Sequence, residues 1–82
     1  MNVKNLLFSS GYTVAEHGKL IHDEQGKIHE FLAQYNFRED ASKSFIDESE
    51  AKHTIYKNPT YIGSIEVIKH EGQEGVSYIL KN

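Results

Sequence analysis

The chain has 82 residues, which suffices for one domain (1–82) and is too short for two. Nine basic residues against twelve acidic ones leave a formal charge of −3. Nucleic-acid backbones are bound by clustered lysine and arginine, so this balance disfavours direct nucleic-acid binding. The absence of cysteine excludes disulfides and thiolate metal sites as supports for the fold.

The first eight residues contain only three consecutive apolar side chains, at positions 6–8. A signal peptide needs an apolar run of about 7–15 residues and a membrane span about 18 or more. We therefore expect a cytoplasmic protein with no membrane segment.

A short amino-terminal helix is predicted by the spacing of Val3, Leu6 and Leu7, which places three apolar side chains on one helical face. Gly11 suits the end of this helix, because glycine enters the left-handed backbone region without steric cost.

Residues 12–37 allow two interpretations. As a helix, they carry an apolar residue every seven positions, at Val14, Ile21, Ile28 and Tyr35. As strands, they show a hairpin-like loop at 23–27, followed by period-two alternation at Phe31, Ala33, Tyr35 and Phe37. A helix would hold Gly18 and Gly26 in its interior, at about 1 kcal/mol each relative to alanine. We favour strands and keep one long helix as the alternative.

A second helix is predicted near residues 48–57. Asp47 is a suitable N-cap, and acidic residues follow it in the first turn, where the helix dipole favours them. Ala51, Thr54 and Ile55 give this segment a narrow apolar stripe, and Pro59 would end it.

The carboxy-terminal third predicts a β-hairpin. Pairing Ile65 with Leu80 and Val67 with Tyr78 gathers the apolar side chains on one face, with a loop at 71–74. Glu66 then falls on the other face, where we expect it to be exposed. The predicted fold is α+β, with a small antiparallel sheet of about four strands.

The last strand ends at the chain terminus, at Lys81 and Asn82. We expect it to be an unprotected edge that could pair with a second copy to form a homodimer.

No motif in the sequence indicates catalysis or a cofactor. Five histidines lack the close ligand pairs of zinc sites: His17, His22, His29, His53 and His70. Glu50 and His53 have the spacing of carboxylate-bridged metal sites, but those sites need two such motifs. Nucleophile elbows and phosphate-binding glycine loops are also missing from the sequence. We expect a protein that is not an enzyme, with no catalytic residues, metal or cofactor.

Aromatic residues are the feature that most suggests partner binding, because tyrosine is enriched at interfaces. Four of them lie near the ends of predicted elements: Tyr35, Phe37, Tyr56 and Tyr61. In a chain without tryptophan they also supply core volume, so core packing is the competing interpretation.

In size and general character, the short acidic chain resembles small accessory proteins of phages and mobile elements. That resemblance implies a protein that inhibits a host enzyme or a nucleic-acid-processing complex by occupying its surface. The expected partner is another protein or protein complex. The alternative is a small DNA-binding transcriptional regulator, with a helix-turn-helix formed around Gly11.

Overall fold

A computed structural model gives the structure of residues 1–16 and 18–81, while His17 and Asn82 lie outside the described residues. The described elements are α1 (Val3–Ser9), β1 (Ile21–Asp23), α2 (Ile28–Gln34), β2 (Arg38–Glu39), β3 (Phe45–Ile46), β4 (Lys52–Lys57), β5 (Ser64–Lys69) and β6 (Val76–Lys81). The predicted α+β class with an antiparallel sheet is confirmed. The described part of the chain has six strands rather than about four.

The strands pair antiparallel in the order β1-β6-β5-β4-β2, and β3 pairs with the same side of β4 as β2. The prediction that the last strand is an edge is wrong for residues 76–78 of β6, while Asn82 lies outside the described residues. Residues 21–23 from the middle of the chain run beside β6 and pair with its residues 76–78. The edges of the sheet are β1 on one side and β2 with β3 on the other.

The predicted amino-terminal helix is confirmed as α1. Val3, Leu6 and Leu7 are all buried, and the side chain of Asn2 accepts a hydrogen bond from the Asn5 N–H at 2.8 Å. This contact satisfies one of the free N–H groups at the start of the helix. Gly11 follows the helix with a φ of +86°, as its capping role requires.

Residues 12–16 and 18–37 form neither one long helix nor a hairpin, because they contain β1 followed by α2. The chain enters β1, and then the side chain of Asp23 accepts a hydrogen bond from the Ile28 N–H at 2.7 Å. Gly26 turns the chain with a φ of +68°, as a left-handed turn residue should. The chain therefore continues into α2 instead of a second hairpin strand.

The alternation between Phe31 and Phe37 was misleading. Ile28, Phe31 and Leu32 are buried along one side of α2, at the i, i+3, i+4 spacing of an amphipathic helix. Phe37 follows the helix and packs in the same core.

The helix predicted near residues 48–57 is wrong, because Lys52–Lys57 form β4 between β5 and the β2/β3 edge. Thr54 lies opposite Val67 on the face that the helices cover, while Ile55 lies opposite Glu66 on the other face. Both Thr54 and Ile55 are buried. A central strand that buries both faces does not show the simple alternation by which strands are recognised.

The predicted carboxy-terminal hairpin and its register are confirmed. Ile65 pairs with Leu80 and Val67 pairs with Tyr78, and this face packs in the core. The expectation for Glu66 is wrong, since it is only 5% exposed.

Both helices pack on one face of the sheet. Their buried residues form one cluster with strand residues of that face, including Ile65, Val67, Val76 and Tyr78. We call the opposite side the open face. Its side chains come from all six described strands: His22, Arg38, Phe45, His53, Ile55, Lys57, Glu66, Ile68, Ser77, Ile79 and Lys81. Neither α1 nor α2 has the length and apolar character that crossing a bilayer would require.

Candidate functional site

The four aromatic residues predicted to bind a partner mostly complete the core. Phe37 is buried, stacks on Tyr61 with ring centroids 5.8 Å apart, and lies 5.6 Å from Phe31. Tyr35 lies 4.9 Å from the same Phe31 ring. Tyr35, Tyr56 and Tyr61 are partly exposed and pack against the core. The structure thus brings three of the four into one aromatic cluster with Phe31, in which Tyr61 joins through Phe37, while Tyr56 stands apart on β4.

The open face combines apolar side chains with a compact charged network. Ile68 and Ile79 lie partly exposed on β5 and β6. Phe45, at the edge, is 51% exposed. Its ring stacks on the imidazole of His53, with centroids 4.4 Å apart and planes 9° from parallel. This stacking holds an exposed aromatic ring in one orientation.

The charged network is centred on His53. Its Nε2 lies 2.7 Å from Asp47 Oδ2, and its Nδ1 lies 2.7 Å from Glu66 Oε2. Lys81 Nζ lies 2.8 Å from the other carboxylate oxygen of Glu66. Two carboxylates therefore face two cationic groups when the imidazole is protonated, so the network can be electrically balanced.

The geometry of the network favours its charged form. Burial lowers the pKa of His53, but the hydrogen bonds to Glu66 and Asp47 outweigh it and leave that pKa raised. Burial raises the pKa of Glu66, but Lys81 and His53 outweigh it and leave that pKa lowered. The hydrogen bond from His53, followed by that from Ser49, holds the pKa of Asp47 well below its ordinary value.

Asp47 reaches His53 because the turn after β3 is organised around its carboxylate. Asp47 Oδ1 accepts hydrogen bonds from the Ser49 N–H at 2.8 Å and the Ala51 N–H at 3.1 Å. Glu50, in the same turn, has a left-handed φ of +67°. Asp47 was predicted to cap a helix, but it stabilises a turn instead. Both roles use an Asp side chain that accepts hydrogen bonds from nearby backbone N–H groups.

The site does not suit a metal. Both ring nitrogens of His53 already contact carboxylates, and Glu50 is not part of the network. Across residues 1–16 and 18–81, no group of three His, Asp or Glu side chains is arranged to hold a metal ion. In a catalytic triad, one ring nitrogen of the histidine contacts a carboxylate and the other contacts a hydroxyl nucleophile. In His53 both ring nitrogens contact carboxylates.

Sequence reasoning missed the network because it placed Asp47 and His53 on a helix. The predicted hairpin register places Glu66 on the face opposite Ile65 and Val67. It does not show which residues of β4 lie beside Glu66. Comparisons with protein-family models, curated proteins and solved structures found no match.

Proposed function

We propose that the chain is a non-enzymatic protein-binding module, an accessory protein or inhibitor that occupies a partner protein through the open face. The observation that carries this proposal is the exposed Phe45 ring, stacked on His53 at the border of the sheet face opposite α1 and α2. Aromatic anchors dominate binding energy at interfaces, and a ring already held in place loses little freedom on binding.

The rest of the open face fits a protein surface. Ile68 and Ile79 offer partly exposed apolar area, while the carboxylates of Glu66 and Asp47 are neutralised within the chain. A partner can therefore cover this face without burying an unpaired charge, which would be costly.

The end of the open face indicates the charge of the partner. Lys57 and Arg38 are directly opposite each other on β4 and β2, and both are exposed, but the Lys57 ammonium lies 2.8 Å from Asp40 Oδ2. Lys81 lies on the same face of β6 and is half exposed. Because Lys57 and Lys81 are paired within the chain, Arg38 is the cation of this row that forms no ion pair among the described residues, and the complementary surface is an apolar patch with an Asp or Glu side chain opposite Arg38.

The DNA-binding alternative lacks the arrangement that it needs. In the described residues, α1 is followed by irregular chain and then β1, without the second helix of a helix-turn-helix. A homodimer through an edge strand would use β1, the β2/β3 edge or residues 79–81 of β6, which extend beyond the pairing with β1, and light scattering would detect it.

The proposal can be tested by affinity capture with matched variants. Wild-type chain, Phe45→Ser and Phe8→Ser would be used to capture partners from a cell lysate. Phe8 is the control because it is 75% exposed but lies on α1, on the other side of the sheet. We expect Phe45→Ser to weaken capture of a defined partner about tenfold or more, and Phe8→Ser to leave it unchanged.

Addition of purified chain to that partner then separates an inhibitor, which lowers the partner's activity, from an accessory protein, which does not. A partner captured equally by all three chains would contradict binding through the open face.

A further inference from the structure

A concave surface lies on the helix-covered face, between the start of α2 and the sheet. This groove has a volume of about 430 Å³. The residues that line it include His29, Lys52, Thr54, Tyr56, Val67 and Lys69. Tyr56, one of the four aromatic residues singled out from the sequence, is thus part of a binding-sized surface.

Two lysines from neighbouring strands face each other in this groove. Lys52 and Lys69 are direct partners in the β4–β5 register, and both are exposed. The lining contains no Asp or Glu, and within the part of the chain that the structure describes neither lysine forms an ion pair. Like charges directly opposite each other on paired strands repel. An anion between the two ammonium groups would remove this repulsion.

One of the two cations is already held in place. Lys69 Nζ donates hydrogen bonds to the carbonyl oxygens of Gln73 and Gly75, the latter at 2.7 Å. An ammonium group has three donors, so one remains for a ligand. Holding the side chain in this way lowers the entropy that binding would cost.

Hydroxyl groups and apolar atoms complete the groove. Thr54 and Tyr56 alternate along β4 on the same face as Lys52. Each of the two residues carries a hydroxyl group, which can donate a hydrogen bond. Val67 and the ring of Tyr56 add apolar surface beside these donors.

We propose that this groove binds an organic phosphate monoester. Its phosphoryl dianion matches the two opposed lysines and accepts a hydrogen bond from the Thr54 hydroxyl, while Glu39, opposite Tyr56 on β2, keeps the dianion at the lysine end of the groove. The ester group lies against Tyr56 and Val67, since the groove is much larger than a phosphate ion. The site is on the opposite side of the sheet from the open face, so it is independent of the proposed partner binding.

The test is a titration followed by amide chemical shifts, with phenyl phosphate, inorganic phosphate and benzoate as probes at constant ionic strength. We expect saturable shifts at Thr54, Tyr56 and Val67, with phenyl phosphate the tightest probe. Lys52→Gln should weaken phenyl phosphate binding about fivefold or more. The variant should fold, because Lys52 is exposed and its removal relieves repulsion.

Two variants act as controls. Lys43→Gln removes the same charge from an exposed lysine of the loop before β3, and it should change the affinity less than twofold. Phe45→Ser should bind phenyl phosphate as the wild type does, even if it loses the partner protein. The proposal is overturned by the absence of saturable shifts up to about 10 mM, by benzoate binding as tightly as phenyl phosphate, or by equal effects of Lys52→Gln and Lys43→Gln.

Discussion

The Glu66 carboxylate has an unusual position for a two-layer domain, because it is buried on the sheet face opposite α1 and α2. It contacts His53 through one oxygen and Lys81 through the other. Removing one member of a buried ion pair is costly, since it leaves the partners without compensation.

Glu66→Gln should therefore lower the free energy of unfolding by about 3 kcal/mol. Glu48→Gln is the matched control, since Glu48 is an exposed residue of the neighbouring turn. It should change the same quantity by less than about 0.5 kcal/mol. Urea denaturation measures both. Equal midpoints for the two variants would show that the network does not support the fold.

The protonation of His53 makes stability depend on pH. The folded-state pKa of His53 is raised above its ordinary value of 6.5, so its contribution is complete below pH 6.5 and is lost as pH rises through the folded-state pKa. Glu66 has a lowered pKa, so its contribution is complete above its ordinary value of 4.5 and is lost at more acidic pH. The network should therefore be strongest between about pH 4.5 and 6.5.

We expect the melting temperature to fall as pH rises above 6.5, and this fall to be much smaller in His53→Gln. Thermal unfolding of both chains between pH 5.5 and 9 checks it. His70→Gln is the control, because His70 is exposed and lies outside the network. If the melting temperature falls equally with rising pH in the wild type and in His53→Gln, the pH dependence comes from other groups.

At the scale of the elements, the turn between β5 and β6 is fixed by a contact with the turn after β1. Gly75 has a φ of +73°, and a Cβ there would collide with the backbone carbonyl oxygens of Asp23 and Glu24. Gly72, in the same turn, has a similar φ of +79°, but a Cβ there would meet nothing within 4 Å. Substitution of Gly72 therefore tests backbone strain alone, whereas substitution of Gly75 tests backbone strain together with close packing.

Gly72→Ala should cost about 1 kcal/mol, which is the strain of a left-handed alanine. Gly75→Ala should cost about 3 kcal/mol or more, because steric overlap adds to that strain. Urea denaturation of the pair measures the difference. Similar losses would mean that residues 23–24 do not pack against Gly75.

The sequence could predict those elements whose signals are local. The carboxy-terminal hairpin combines strict alternation with glycine-containing turn residues, and α1 combines an apolar stripe with Gly11. Ile28, Phe31 and Leu32 also carry a helical signal, but the alternation from Phe31 to Phe37 obscured it. β4 could not be predicted, because its burial on both faces depends on β5 and on the turn at Asp47.

At the scale of the molecule, the two faces of the sheet differ in how they are covered. The helices cover one face and leave a groove with two opposed lysines. The other face carries the His53 network and Phe45.

The His53 network could not be predicted from the sequence, because Asp47, His53 and Glu66 meet only through the β4–β5 pairing and the turn before β4. Of the four aromatic residues predicted to bind a partner, Tyr35, Phe37 and Tyr61 pack in one cluster with Phe31, and Tyr56 lines the groove.

Partner binding through the open face is the central claim, and isoleucine methyl NMR of the captured complex tests it most directly. Ile68 and Ile79 lie on the open face, whereas Ile62 is 71% exposed outside it and serves as the internal control. Binding should shift or broaden the methyl signals of Ile68 and Ile79 and leave that of Ile62 unchanged. A change at Ile62, with Ile68 and Ile79 unaffected, would contradict the claim.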